Sequence, residues 1–380
     1  MDTSLKKIIS TGLGNLSHMF SGETSKSFLG IDIGSSAIKV VQLKKSKGKA
    51  VLETYGALSL GPYGNTDIGT VTNLESKDIA RALIDVIKES NVTATAGTIS
   101  IPSSSSLIFT LSLPAKVNQE QLVTIVPTEA RKYIPVPISE VSLDWFIIPE
   151  EENKSVPLSS DPTTAPPAEA KTEVLVVAIH NDIITRFQDV LSATSITSNN
   201  YEMEIFSLIR SALDNELTPT LLMDFGAQKT KISIIEGGLV RVFHIINRGA
   251  QDITKNISQS QSISFTEAEK LKRSVGLDSK ANEQVADIAR LYTDYIFSDT
   301  KNVVLNYEKK YNKKIQKIIL TGGGALLKGL HDKVKDAFEI EVIISNPFSR
   351  TEAPAFLDEV LQISGPEFTV AVGLALRELN

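Results

Sequence analysis

The chain has 380 residues, 42% of them hydrophobic and 22% charged, which is enough core-forming material for two or three soluble domains. A net charge of -6 argues against a nucleic-acid surface, and the absence of cysteine excludes a disulfide framework and thiolate metal sites. The four histidines have no zinc spacing, and no apolar run reaches the ~18 residues that cross a bilayer, so a cytoplasmic location is expected.

Residues 1–27 read as a leader. Leu5, Ile8, Ile9, Leu16, Met19 and Phe20 fall near helical spacing, with Lys6 and Lys7 off that stripe and Gly12 and Gly14 interrupting it. The leader lacks the continuous apolar core of a signal peptide and is expected to be a flexible tail or a short amphipathic helix. Phe28 to Leu43 then predicts two antiparallel strands around a tight Gly34-Ser35-Ser36 turn. The backbone of such a turn makes a nest suited to phosphate oxygens, and Asp32 beside it is placed to hold the water shell of a phosphate-bound Mg²⁺. An ordinary turn carboxylate bonded to its own backbone is the alternative.

A further strand is expected over Ala50 to Leu60. A helix with Ile79, Leu83, Val86 and Ile87 on its apolar face follows, and then a strand from Thr98 to Ile101. Ser103 to Ser106 lacks glycine and reads as a connecting turn. Leu107 to Leu113 reads as an edge strand, Val117 to Tyr133 as a helix kinked or restarted at Pro127, and Val141 to Ile148 as a strand. Glu150 to Thr172 is acidic and rich in proline, serine and threonine, the composition of a disordered loop, before a strand from Val174 to Ile179. Helices follow at Asp182 to Leu191 and Met203 to Leu213, the second entered through Asn199 to Glu202. Glu204 in its first turn is placed to complement the helix dipole.

The second half repeats the first. Leu221 to Ile235 again gives an apolar strand, Asp224-Phe225-Gly226, four residues, a lysine and a β-branched strand, so that Lys231 stands from Asp224 as Lys39 does from Asp32. A repeat this far apart points to two lobes of like build. The Gly237-Gly238 turn closes a hairpin, and the chain from Asp252 to Tyr311 reads as almost wholly helical. Within it, Glu269 and Lys272 share a face with Arg273 beside them, suited to a ribose and an adenine plane. Thr266 and Glu269 also fit a capping box. Strand Lys317 to Leu320 meets Gly322-Gly323-Gly324 and an expected helix, strand Glu341 to Ile344 follows, and Gly365-Pro366 is expected to open a last helix with small residues along its face.

Asp32-x-Gly34, Asp224-x-Gly226 and Gly322-Gly323-Gly324 in this order resemble the phosphate-1, phosphate-2 and adenosine motifs of the actin-like ATPase superfamily. More narrowly, Glu129 to Pro137, Glu202 to Arg210, Ser345 to Phe348 and Gly365 to Arg377 resemble the PilM family of type IV pilus assembly proteins, relatives of FtsA. The resemblance implies an α/β, two-lobed actin-like ATPase fold of duplicated ribonuclease H-like domains with an FtsA-type inserted subdomain in lobe I. Its parts would be a lobe I core at 28–98 and 179–220, and an inserted subdomain at 99–178 with a disordered loop at 150–172. Lobe II would have its core at 221–265 and 315–364 and a helical subdomain at 266–314, and a C-terminal helix at 365–380 would return to lobe I.

ATP and Mg²⁺ are the implied cofactors. The implied nucleotide contacts are Asp32, Gly34, Ser35, Ser36, Lys39, Asp224, Gly226, Gln228, Lys229, Thr230, Glu269, Lys272, Arg273, Gly322, Gly323, Gly324 and Leu327. Asp32 and Asp224 would hold the metal through water, and Glu204 would be the catalytic candidate in a slow or accessory ATPase. The implied partner is the cytoplasmic N-terminal peptide of PilN, held in a groove near Tyr133, Ile134, Val136, Ile205 and Ile209. Through PilN the protein would reach the inner face of the cytoplasmic membrane. The residues depart from the family pattern at Arg248-Gly249-Ala250, where a Gly-Gly pair is usual, at Pro127, and in the length of the leader and acidic loop. An FtsA-like membrane-associated filament is the alternative. A small-molecule kinase of the same fold is another, but it needs a further aspartate as base, for which the chain offers no clear candidate.

Overall fold

Extended apolar runs around two tight glycine turns organise most of the molecule. The computed structural model describes residues 26–114, 117–148, 171–214 and 217–379, so the leader up to residue 25 and the acidic segment 149–170 lie outside the described residues. The described chain forms two compact units, Ser104–Ile184 and the remainder. Elements are numbered β1–β13 and α1–α9 in chain order.

In the larger unit, β1 (Ser27–Ile33), β2 (Ala37–Ser46), β3 (Lys49–Ser59), β4 (Ala96–Ile101) and β8 (Thr197–Met203) form a sheet of order β3-β2-β1-β4-β8. A second sheet, of β9 (Thr220–Phe225), β10 (Thr230–Glu236), β11 (Leu239–Ile246), β12 (Lys317–Thr321) and β13 (Glu341–Ile344), has order β11-β10-β9-β12-β13. Each sheet is an antiparallel three-strand meander continued by two parallel strands, so the repeated motif in the sequence corresponds to a repeated topology. Both lead strands are buried along most of their length, consistent with their unbroken apolar character.

Strand β8 was not expected. Its polar sequence, Thr197 to Met203, is extended because it pairs in parallel with β4, and the helix α4 (Glu204–Ala212) starts only after it. Helix α1 (Ser76–Glu89) buries the expected Ile79, Leu83 and Val86. Helix α9 (Asp358–Arg377) begins seven residues before the expected Gly365. Pro366 therefore lies inside it, and Gly365 packs closely on Pro347, where a β-carbon would stand 3.2 Å from Cδ. The buried face of α9 packs on Val41, Leu43 and Leu52, and the Tyr55, Phe348 and Phe368 rings meet at 5.4–5.9 Å. Contact is closest at Gly30 and Gly373, where any β-carbon would fall on the backbone carbonyl of Ala371 or Ser207, respectively.

The second sheet packs on α7 (Glu283–Tyr311) and α8 (Leu330–Phe338), and α5 (Ala250–Gln261), α6 (Phe265–Val275) and α7 share a separate apolar core. The glycine run is followed by a single 3-10 turn, Gly323–Leu326, rather than by the expected α-helix. Gly329 adopts φ +80° and α8 starts only at Leu330.

The smaller unit is a three-stranded sheet of order β5-β7-β6, with β5 (Ser106–Pro114), β6 (Val141–Ile147) and β7 (Lys171–His180), so that β5 is an edge strand as expected. Lys171 and Thr172, expected in the loop, already belong to β7. Helix α2 (Gln119–Ala130) covers one face through Leu122 and Val126. An Asn118–Gln121 capping box opens it, and it runs through Pro127 without a restart, since the proline falls in the last turn. Helix α3 (Asn181–Ser192) then leads on to β8.

Candidate functional site

The two glycine turns are built alike. Gly34 N–H donates to Ala37 O at 3.0 Å and Gly226 N–H to Lys229 O at 3.1 Å, so both glycine amides close their own turns and leave Ser35, Ser36, Ala227 and Gln228 at the tips. The turn carbonyls are tied down by later segments. Thr72 and Leu60 amides donate to Ser35 and Ser36 in the first turn, and Ala250 and Gln251 amides to Gly226 and Ala227 in the second. Thr230 is wholly buried and its hydroxyl donates to Arg248 O at 2.9 Å, which makes it a strut of the second turn. Gly249 abuts the 227–228 backbone so closely that a β-carbon has no room.

The strand register sets each aspartate opposite the lysine of its own hairpin, Asp32 against Lys39 and Asp224 against Lys231. Asp32 is 5% exposed, accepts from Ser100 Oγ at 3.1 Å and lies 3.8 Å from Lys39 Nζ. Asp224 is 7% exposed and lies 3.1 Å from Lys231 Nζ. Glu204, the first residue of α4, is 5% exposed. It reaches Lys231 Nζ at 2.5 Å and accepts from the Ser103 amide at 3.3 Å.

Burial pushes the Glu204 carboxyl up against the opposing pull of Lys231, and the charges of Asp32 and Asp224 act in the same direction as burial. Burial alone would lower the Lys231 pKa, but Asp224 and Glu204 outweigh it and the ammonium stays charged. Asp32, Asp224 and Glu204 are thus gathered in one electrostatic site. Lys231 is not among the nucleotide contacts that the family resemblance implies. Its equal offset from Asp224 was visible, but its contact with Glu204, 27 positions away, was not.

The residues fit Mg²⁺ held mainly through water. Asp32 and Asp224 offer hard oxygen donors, and the buried Ser103 hydroxyl has no hydrogen-bond partner. Among the described residues no three acidic, histidine or cysteine side chains gather as a direct ligand set.

The adenosine-side candidates divide into anchored and open groups. Glu269 joins Lys272 at 2.7 Å, Arg273 at 2.8 Å and the Thr254 hydroxyl at 2.6 Å, and Lys272 also donates to Thr254 and to Ala250 O. Burial opposes ionisation of Glu269, yet Lys272 and these hydrogen bonds hold its pKa below the ordinary value, while burial lowers that of Lys272. The helix cap is the Ser264–Glu267 box, which corrects the Thr266–Glu269 alternative and leaves Glu269 for Lys272. Arg273 is exposed beyond its bond to Glu269 and feels the charge of Glu367.

Glu367 lies 3.6 Å from where a β-carbon on Gly323 would stand, so Arg273, Glu367 and the exposed Gly323 backbone share one neighbourhood. Gly322 has φ +81° and, with Gly324, packs on Asp224 and Phe225. Leu327 is half-buried between the two lobe II cores. Of the groove positions, Ile134 and Ile205 are buried at 7% and 1% exposure and serve hydrophobic packing. Tyr133, 54% exposed, stacks on Phe109 at 5.1 Å, and Val136 and Ile209 are half-buried.

Two sheets of one topology, each opening on an Asp-x-Gly hairpin, define an actin-like ATPase fold. The family described as type IV pilus assembly protein PilM matches residues 30–379, and the chain belongs to that family. The described structure superimposes on a structure titled PilM-PilN type IV pilus biogenesis complex with TM-score 0.76 and 22% identity, over 93% of this chain and 98% of that one. Ethanolamine utilization protein EutJ from Carboxydothermus hydrogenoformans follows at TM-score 0.51 and 14% identity, over 94% and 90% of the two chains. Cell division protein FtsA of Streptococcus pneumoniae is 22% identical over 348 residues, covering 84% of this chain and 75% of FtsA. The match to Bacillus subtilis FtsA, also at 22% identity, covers 40% of this chain and spans 37% of the relative's length.

Proposed function

We propose that this protein is an ATP-binding scaffold of the type IV pilus inner-membrane machinery, in which nucleotide bound between the two lobes controls binding of the cytoplasmic N-terminal peptide of PilN. The observation that carries the reading is the Glu204–Lys231–Asp224 chain of contacts, which joins α4 of the first lobe to the second hairpin beside Asp32. A ligand that engages both hairpins therefore changes the junction of the lobes. The tips at Ser35, Ser36, Ala227 and Gln228 would take phosphate oxygens, with Lys39 and Lys229 adding charge. Arg273 and the Gly323 backbone would flank the base. Asp32 and Asp224 would hold Mg²⁺ through its waters, and the bound ion would supply charge neutralisation for the phosphates. Glu204 would position a water for slow hydrolysis.

The PilN part of the reading is supported by family membership and by the resemblance to the PilM–PilN complex. The smaller unit adds two edge strands, β5 and β6, and the exposed Tyr133, features that suit an extended peptide. The test titrates a fluorescent ATP analogue, and then a labelled PilN N-terminal peptide with and without ATP, into the wild type, Asp32→Ala and Asp224→Ala. Both variants are expected to bind Mg·ATP at least about tenfold more weakly, as loss of a charged contact implies, and to lose the effect of ATP on peptide affinity. Wild-type affinity for the analogue in both would reject the nucleotide site. Peptide binding that is indifferent to ATP in the wild type would reject its control.

A further inference from the structure

We propose that Lys231 is the residue that distinguishes a nucleoside triphosphate from a diphosphate, offering a spare N–H to the terminal phosphate while its bond to Glu204 couples that contact to the lobe junction. The proposal rests on the nucleotide reading above and gives Lys231, there only a link between the lobes, a direct part in recognising the ligand.

An ammonium has three donors in a compact head. Two of those on Lys231 are taken, by Glu204 Oε2 at 2.5 Å and Asp224 Oδ2 at 3.1 Å, and the third has no protein partner among the described residues. The side chain is 16% exposed, so the spare donor is neither sealed in the core nor spread into bulk water. Three carboxylates, Asp32, Asp224 and Glu204, face this place, and Lys39 is committed to the first hairpin at 3.8 Å from Asp32. An incoming phosphate oxygen thus meets a site rich in negative charge in which Lys231 is the cation bonded to two of the three carboxylates.

Lys231 also lies on the body of β10 beyond the turn tip at residues 227 and 228, opposite Asp224. The group beside it is Glu204, and a residue that orients water in phosphoryl transfer faces the terminal phosphate. A donor bonded to that glutamate is therefore next to the one phosphate that a diphosphate lacks. Because Glu204 belongs to α4 and Lys231 to β10, the terminal phosphate pulls on the same ammonium that links the two lobes.

The experiment measures affinities of fluorescent ATP and ADP analogues, with Mg²⁺, for full-length wild type, Lys231→Met, Lys231→Arg, Glu204→Gln and the double variant Lys231→Met/Glu204→Gln. The double variant leaves one fewer unpaired buried carboxylate and keeps the test available if Lys231→Met alone does not fold. The wild type is expected to prefer ATP. Loss of a charge-assisted hydrogen bond should cost Lys231→Met and the double variant about tenfold or more in ATP affinity, while ADP affinity stays within about threefold. Lys231→Arg should recover most of the preference, and Glu204→Gln should keep it. Equal losses for ATP and ADP, or an undiminished ATP preference in the variants lacking Lys231, would overturn the assignment. If the wild type bound neither nucleotide, the nucleotide reading itself would fail, an outcome distinct from failure of the lysine assignment.

Discussion

The two hairpins share topology, turn bonding and an Asp–Lys register, yet they are not used alike. In the first, Lys39 stays 3.8 Å from Asp32, whose firm partner is Ser100 Oγ on the neighbouring strand. In the second, Lys231 bonds its own Asp224 and reaches across to Glu204, while Gly249 and Gly322 crowd the turn from outside. The ends of the equivalent parallel strands differ as well. After β4 the Ser103 amide serves Glu204, and after β12 the Gly322 amide serves Pro366 O on α9. Duplication therefore supplies a scaffold with two like phosphate turns, and the departures from symmetry supply the link between the lobes.

The largest expected effect tests that asymmetry in stability. Removing one member of a buried charge cluster leaves the others uncompensated, so Lys231→Met should cost about 3 kcal/mol. Lys39→Met removes one ion pair of similar burial but longer, 3.8 Å, with a single carboxylate and should cost less, about 1–2 kcal/mol. Urea unfolding of the two variants at neutral pH checks this, and equal shifts in midpoint would mean that the second lysine has no special structural place.

A smaller contrast concerns the glycines. Gly322 holds φ +81°, and a β-carbon there would run into Asp224 Oδ1 and stand 2.6 Å from Phe225 O. Gly322→Ala should destabilise by about 2 kcal/mol and displace Asp224. Gly34 has no positive φ and its β-carbon would meet only Ala37 O at 3.0 Å, so Gly34→Ala should cost less than about 1 kcal/mol. Thermal melts of the pair decide the matter, and a Gly34 variant as unstable as the Gly322 variant would erase the contrast.

The repeated hairpin was legible because its turn chemistry is local: apolar strand, Asp-x-Gly, then a lysine at fixed offset. The expectations that failed depended on tertiary context. The residues of β8 carry no apolar alternation and become a strand only through pairing with β4. Gly365-Pro366 has the composition of a helix start, yet α9 already has its preceding turns from Asp358 and continues through the proline, with Gly365 against Pro347. The Glu204–Lys231 contact joins two helix and strand positions with no periodic relation, so sequence spacing could not reveal it. Glu269, by contrast, was found by its i,i+3 relation to Lys272, although the cap lies two residues earlier than the competing motif.

The smallest effect separates two glutamates by the direction in which pH moves them. Glu269, on α6 of the second lobe, has its folded pKa lowered from the ordinary 4.5, because Lys272 and its hydrogen bonds outweigh the opposing effect of burial. Its contribution is therefore complete above the unfolded value and is lost as pH falls through the lowered folded value. Glu204, at the start of α4, has its folded pKa raised, first by burial. The folded state then retains a proton that the unfolded state has released, so stability declines as pH rises from about 4.5 through the raised value. Melting curves of wild type, Glu269→Gln and Glu204→Gln from about pH 3 to pH 7 read the difference directly. The stability of the wild type relative to Glu269→Gln should grow with pH by about 1 kcal/mol. Relative to Glu204→Gln it should shrink. Two curves of the same slope would show that the carboxylate at the lobe junction is stabilised like an ordinary helix ion pair, and the junction would then lose the electrostatic tension that sets it apart from the rest of the second lobe.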